Sequence, residues 1–165
     1  MARSPSYPFR PKSSASLAPG QFWAVPLASG QFACGRVLQL GGSEVPSKTR
    51  AFFGGLQDWI GDCPPTSDAI AGSRVAKFGV MHIKAITETG GHILGLRPLE
   101  LDGIELPALH SAWGFGGKLL HGADAVRDTR EDEWGTRASL IYWSYGYIEM
   151  LGEELAAVRS GEAMT

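Results

Sequence analysis

Cysteine is scarce: Cys34 and Cys63 are the only two among 165 residues. Two thiols cannot build the multi-bridge framework of a small secreted domain, so reduced, half-buried thiols are expected. No run approaches the ~18 apolar residues of a membrane span. The N-terminal segment has basic residues but no continuous apolar stretch of a signal peptide. Cytoplasmic residence without membrane contact is the expectation. Neither sign of charge is in excess. The formal net charge of −2 counts against a nucleic-acid binder held by counterion release. With 44% hydrophobic and 19% charged residues, a buried core is possible and wholesale disorder is not expected.

Chemical motifs are also missing. The histidines, His82, His92, His110 and His121, form no His-x-His or His-x-x-x-His pair, so no metal is expected. Gly114-Phe115-Gly116-Gly117-Lys118 has the look of a phosphate loop. Ala112 stands where the motif needs glycine and Leu119 where it needs Ser or Thr, so it reads as a glycine-rich turn. Cys34 has only Arg36 nearby to lower its pKa, and no local base. No nucleophile-base pair or cofactor fingerprint appears. The sequence predicts a protein that is not an enzyme and needs no cofactor.

The 22 glycines and 10 prolines predict frequent turns and short strands rather than a helical bundle. Residues 1–19 alternate proline with serine and read as a flexible, basic tail carrying Arg3, Arg10 and Lys12. Residues 20–165 read as a single β-rich domain. Two alternating apolar runs flank Ala28-Ser29-Gly30 and predict a β-hairpin. Pro26 predicts a sheet edge or a bulge in its first strand. A third short strand is expected over 49–53 and a helical turn over 56–60. A second hairpin would pair 74–87 with 93–96. Further strands are expected over 99–106 and 140–145, loops over 113–118 and 124–134, and a helix over 148–159 with Leu151, Leu155 and Val158 on one side. The predicted fold is mainly β within the α+β class: an antiparallel, strongly twisted sheet or partly open small barrel with a C-terminal helix.

Two features invite a binding role. Arg36 falls on the same strand face as Phe32, Cys34 and Leu38, so it must be paired, must snorkel, or must lie past a bulge at Gly35. The segment bearing Asp124, Asp128, Glu131, Asp132 and Glu133, with Arg127 and Arg130, is either a solvated loop or a patch for a basic partner. Trp134 would supply its aromatic anchor, and Trp113 is the other tryptophan expected in a loop.

The run Gly20-Gln21-Phe22-Trp23-Ala24-Val25-Pro26-Leu27, followed by Gly30-Gln31-Phe32-Ala33-Cys34-Gly35-Arg36-Val37-Leu38, resembles the opening of the immunity protein 26 family of bacterial polymorphic toxin systems. Phe52-Phe53 and Ile93-Leu94-Gly95-Leu96-Arg97-Pro98 fit a similar layout, so the resemblance covers residues 20 to 107. It implies a non-catalytic cytoplasmic protein that binds a cognate toxin and blocks it by covering or distorting its active site. The residues leave a second reading open: a small β-barrel module for a ligand or for single-stranded nucleic acid, using Arg36, Trp23 and loop aromatics. The net charge makes nucleic acid the weaker partner.

Overall fold

A computed structural model describes residues 5–111 and 117–161. The described residues form β1 (Gln21–Pro26), β2 (Phe32–Gln39), β3 (Ala51–Gly61), β4 (Val75–His82), α1 (Lys84–Thr87), β5 (Ile93–Leu96), β6 (Ala108–His110), β7 (Lys118–His121), β8 (Asp124–Asp128), β9 (Tyr142–Trp143) and α2 (Tyr147–Ser160). Six strands make one sheet in the order β5-β1-β2-β3-β4-β9, and β6-β7-β8 make a smaller one. Every pairing is antiparallel except β4 with β9. Among the described residues β5 and β9 are the two ends of the large sheet, so it is open and not a closed barrel. No helix among them is long and apolar enough to cross a membrane.

The large sheet is covered on both faces. Successive strand side chains point opposite ways, so Phe52 and Phe53 enter different cores. Phe52 joins Trp23, Val25, Leu56, Ile148 and Leu151 under α2. Phe53 joins Leu38, Val80, Leu109, Leu120 and Leu140 under the small sheet. This is why β3 is buried without interruption over its first seven residues, where a half-exposed strand would alternate. The helix is pinned at its middle and at its C-terminal end. Glu153 Oε1 accepts from the Ala28 backbone N–H at 2.7 Å, and Arg159 Nη2 donates to Asp58 Oδ1 at 2.6 Å.

The β1–β2 hairpin forms as expected, with Pro26 opposite Phe32 and Gly30 at φ +89° closing the turn. β1 is nevertheless interior, paired to β5 on its other side with a bulge between Phe22 and Trp23. Pro26 lies beyond the last β5 pairing, at Ile93, so its missing N–H costs that ladder nothing.

The second hairpin does not form. β4 stops at His82, α1 turns the chain, and β5 pairs with β1. Gly90 explains the route: a Cβ there would run into the Ala24 carbonyl, so only glycine lets this turn lie against β1 and deliver β5 to its edge. The segment read as a tail is also different from Pro5 onward. Tyr7 and Phe9 pack on the α2-side core. Phe9 exchanges backbone hydrogen bonds with Ile93 at 3.1 and 2.8 Å, and Leu17 is buried. Average composition hides these anchors, because a few apolar side chains suffice where a strand edge awaits them.

Other expectations shift for similar reasons. Residues 56–60 continue β3, with Ile60 opposite Ala33. Residues 99–102 form a 3-10 turn ended by Gly103 at φ +63°. Of 140–145 only Tyr142–Trp143 joins the sheet. The segment read as a loop over 124–134 begins as β8 and continues into a 3-10 turn at Glu131–Glu133. The helix forms as expected, though Val158, the last residue of its apolar stripe, is 63% exposed.

Gly35 lies beneath Trp23, and a Cβ there would stand 2.3 Å from two atoms of the indole ring. Gly35→Ala should therefore lower stability by about 1–3 kcal/mol through overpacking. An unchanged urea midpoint would contradict this packing.

Candidate functional site

Arg36 lies mid-strand on β2, opposite Phe22 and Gly55, and is wholly buried. A guanidinium there must be paired. Its Nε donates to the Gly20 carbonyl at 2.9 Å, and its Nη2 donates to the Arg97 carbonyl and to Asp102 Oδ2 at 3.4 Å. Asp102 also accepts from Arg97 Nε at 3.0 and 2.9 Å and from the Gly72 backbone N–H at 2.8 Å. Burial works against the Asp102 charge. The hydrogen bonds from Arg97 and Gly72, and the charges of Arg97 and Arg36, outweigh it and hold the carboxyl below its ordinary value. Burial draws the Arg36 pKa down, with Cys34 and Asp102 opposing the shift.

Arg36 is thus a structural tie and presents nothing to a partner. Cys34 beside it is buried, and burial pushes its thiol far up, so it is no thiolate nucleophile. Cys63 is exposed and both thiols are free. Asp102 also lines a cleft of about 410 Å³ with Arg74, Val75, Phe78, Ile104 and Glu105.

The acidic candidates gather elsewhere, on the small sheet, and no Arg36 hydrogen bond reaches them. Asp124, Val126 and Asp128 are the exposed alternate residues of β8, the outer strand. Glu131 and Asp132 continue the surface, and Trp134 follows at 37% exposure. Asp124 Oδ1 accepts from the Ser43 N–H at 3.0 Å, and Asp128 faces Lys118 at 3.5 Å with both side chains in solvent, a contact of little energy. Glu133 has an internal task. Arg127 grips it bidentately at 2.6 and 2.8 Å, the Arg130 N–H adds a bond at 2.9 Å, and Arg137 lies at 3.5 Å. The Arg127 hydrogen bonds, helped by the Arg130 N–H, pull its carboxyl down to about 2. Trp113 lies outside the described residues, as does most of the glycine-rich stretch beside it.

Beneath Trp134 is a feature that sequence reasoning misses. His110 on β6 is buried with neither ring nitrogen hydrogen-bonded, and the Thr129 hydroxyl is likewise unpartnered. Both line a small pocket of about 80 Å³. A lone histidine in a short strand carries no sequence signal of this. Among the described residues no group of three His, Cys, Asp or Glu could hold a metal ion.

No family model, curated protein or solved structure matches the chain.

Two consequences are measurable. Asp102→Ala strips Arg36 of its counter-charge inside the core and should cost about 3–5 kcal/mol in urea unfolding. A loss below ~1 kcal/mol would mean that the carbonyls alone satisfy the guanidinium. Glu133 has a folded pKa of about 2 against an ordinary 4.5. Between those values the unfolded chain binds more protons, so stability is full above the window and lost as pH falls through it. Glu133→Gln should flatten the acid-unfolding curve in that window, and an unchanged slope would refute the role given to Glu133.

Proposed function

We propose that this protein neutralises a bacterial toxin without catalysis, binding it through the acidic outer face of the small sheet. The observation that carries the reading is the composition of that face. Asp124, Asp128, Glu131 and Asp132 are exposed around Val126, which is 62% exposed, with Trp134 at the end. An exposed valine flanked by carboxylates, with a partly exposed tryptophan at the end, makes a small anchor, and the four carboxylates outnumber the exposed Lys118, Arg130 and Arg137 beside them. The partner suited to it is a toxin of basic surface. The resemblance of residues 20–38 to the immunity protein 26 family supports the same reading, which places the protein in the cytoplasm of the cell that needs protection.

The division of labour also favours this reading. The conspicuous charge in the hairpin, Arg36, is consumed by the core, whereas the carboxylates of the small sheet face solvent. A protein that blocks by covering needs only such a face on a rigid support. The single-stranded nucleic-acid reading draws less support: Arg36 is withdrawn from solvent, the exposed face is acidic, and the sheet is open.

The test is co-expression and co-purification with the product of an adjacent toxin gene. A stable complex and abolished toxicity are expected. Reversing two charges, Asp128→Lys with Asp132→Lys, should slow association about tenfold or more at low salt and leave Tm unchanged. Toxicity that persists in the presence of the wild-type protein would sink the reading.

A further inference from the structure

The histidine of β6 is buried, yet its ring lines a pocket and bonds to nothing. Leu109 enters the core under the small sheet, so His110, the next residue, points to the other face. Its backbone is fixed against a neighbouring segment. The His110 N–H donates to the Ala138 carbonyl at 2.9 Å, and its carbonyl accepts from the Leu140 N–H at 2.8 Å. The residue is 7% exposed, with Nδ1 and Nε2 both buried and without a hydrogen-bond partner among the described residues. The Thr129 hydroxyl, one residue past β8, is in the same condition. A neutral imidazole carries one donor and one acceptor, and a hydroxyl carries both. Buried polar groups left dry and unpaired are costly, so this pocket requires a polar occupant.

The lining shows which kind. His110, Ser111, Thr129, Arg137 and Ser139 supply its polar side chains, and Trp134 its apolar wall. Among the described residues no Asp or Glu lines it, so Arg137 brings its one fixed charge. Arg137 also approaches Glu133, at 3.5 Å, but this is the longest of that carboxylate's hydrogen bonds. Arg127 holds Glu133 bidentately, which leaves the Arg137 charge to the pocket. Ser111 Oγ accepts from the Lys118 N–H at 2.7 Å, so its own proton remains to be donated. The volume of about 80 Å³ is several times the ~10–15 Å³ that one water needs.

Donors that converge on a small space beside one guanidinium, with no carboxylate in the lining, suit an oxyanion. We infer that this pocket binds a small oxyanion, a carboxylate or a phosphate. Arg137 supplies the counter-charge. The Thr129 and Ser111 hydroxyls and one His110 ring N–H donate to the oxygens. The carboxylates of the outer face oppose an incoming anion, so binding is weak, in the millimolar range. The inference does not rest on the toxin reading, because the ligand is a small ion whose binding is measured with no partner present.

The experiment is an NMR titration of the full chain, ¹⁵N-labelled in its histidine rings, with sodium acetate and separately with sodium phosphate. The pH is fixed, and sodium chloride at equal ionic strength is the blank. A saturable shift of the His110 ring nitrogens is expected, with His82, His92 and His121 unmoved. Saturation by acetate alone assigns a carboxylate, by phosphate alone a phosphate, and by both a site that reads the oxyanion charge. Arg137→Gln should weaken binding about tenfold or more by removing the charge-assisted bonds. Thr129→Val nearly keeps the side-chain shape and removes the hydroxyl. It should weaken binding several-fold without lowering Tm, because that hydroxyl has no protein partner to lose. His110 signals that do not saturate at tens of millimolar ion, or that move equally in chloride, would overturn the inference and leave the pocket to ordered water. Unchanged affinity in either variant would overturn it as well.

Discussion

The buried guanidinium of Arg36 is the constraint around which the rest is arranged. It draws together three stretches distant in sequence: the entry to β1 at Gly20, the middle of β2, and the 97–102 segment that follows β5. Backbone geometry makes room for it. Gly20 adopts φ +99°, and a Cβ on it would stand 2.7 Å from the Arg97 carbonyl oxygen, so the two chains approach only because Gly20 has none. The Arg97 N–H then bonds the Gly20 carbonyl at 3.0 Å, and the same carbonyl accepts from Arg36. Asp102 closes the knot and itself holds the Gly72 loop. A charge placed where alternation demands an apolar residue is tolerated because one aspartate and two carbonyls hold its Nε and Nη2, although its buried Nη1 has no partner among the described residues.

This tie also explains which parts of the fold were legible in the sequence. The β1–β2 hairpin and α2 are local: a turn residue, a period of two and a stripe at helical spacing define them. The partner of β5 is not local. It depends on Gly90 lying against Ala24 and on Arg97 reaching Gly20, contacts that no pattern in the 74–96 window records. The continuous burial of β3 blurred its period, because both faces are covered, and the strand expected over 49–53 continues through Gly54 and Gly55 to Gly61. Residues 5–19 misled in the opposite sense, since their proline and serine content masked Tyr7, Phe9 and Leu17.

The candidate site was legible as a charge pattern and not as a geometry. The acidic run marked the outer face of the small sheet, but spacing could not tell Glu133, consumed by Arg127, from Glu131 and Asp132 in solvent. Arg36 was conspicuous as an anomaly, and its partners lie 16, 61 and 66 residues away, beyond any local reading. The setting of His110, with both ring nitrogens unpartnered, arises from how elements stop and meet, which composition does not encode. The molecule separates its tasks. The hairpin carries the charge knot, while four carboxylates of the small sheet, Asp124, Asp128, Glu131 and Asp132, face solvent.

The central claim, that Arg36 and Asp102 hold the fold as a coupled pair, is tested most directly by a double-mutant cycle. Arg36→Met, Asp102→Asn and the double variant would be compared with the wild type by urea unfolding. Coupled residues in one buried network should show an interaction energy of at least ~1 kcal/mol, the double variant losing clearly less than the sum of the singles. Additive losses would mean that each residue stabilises the protein through other contacts and that the knot is no organising element.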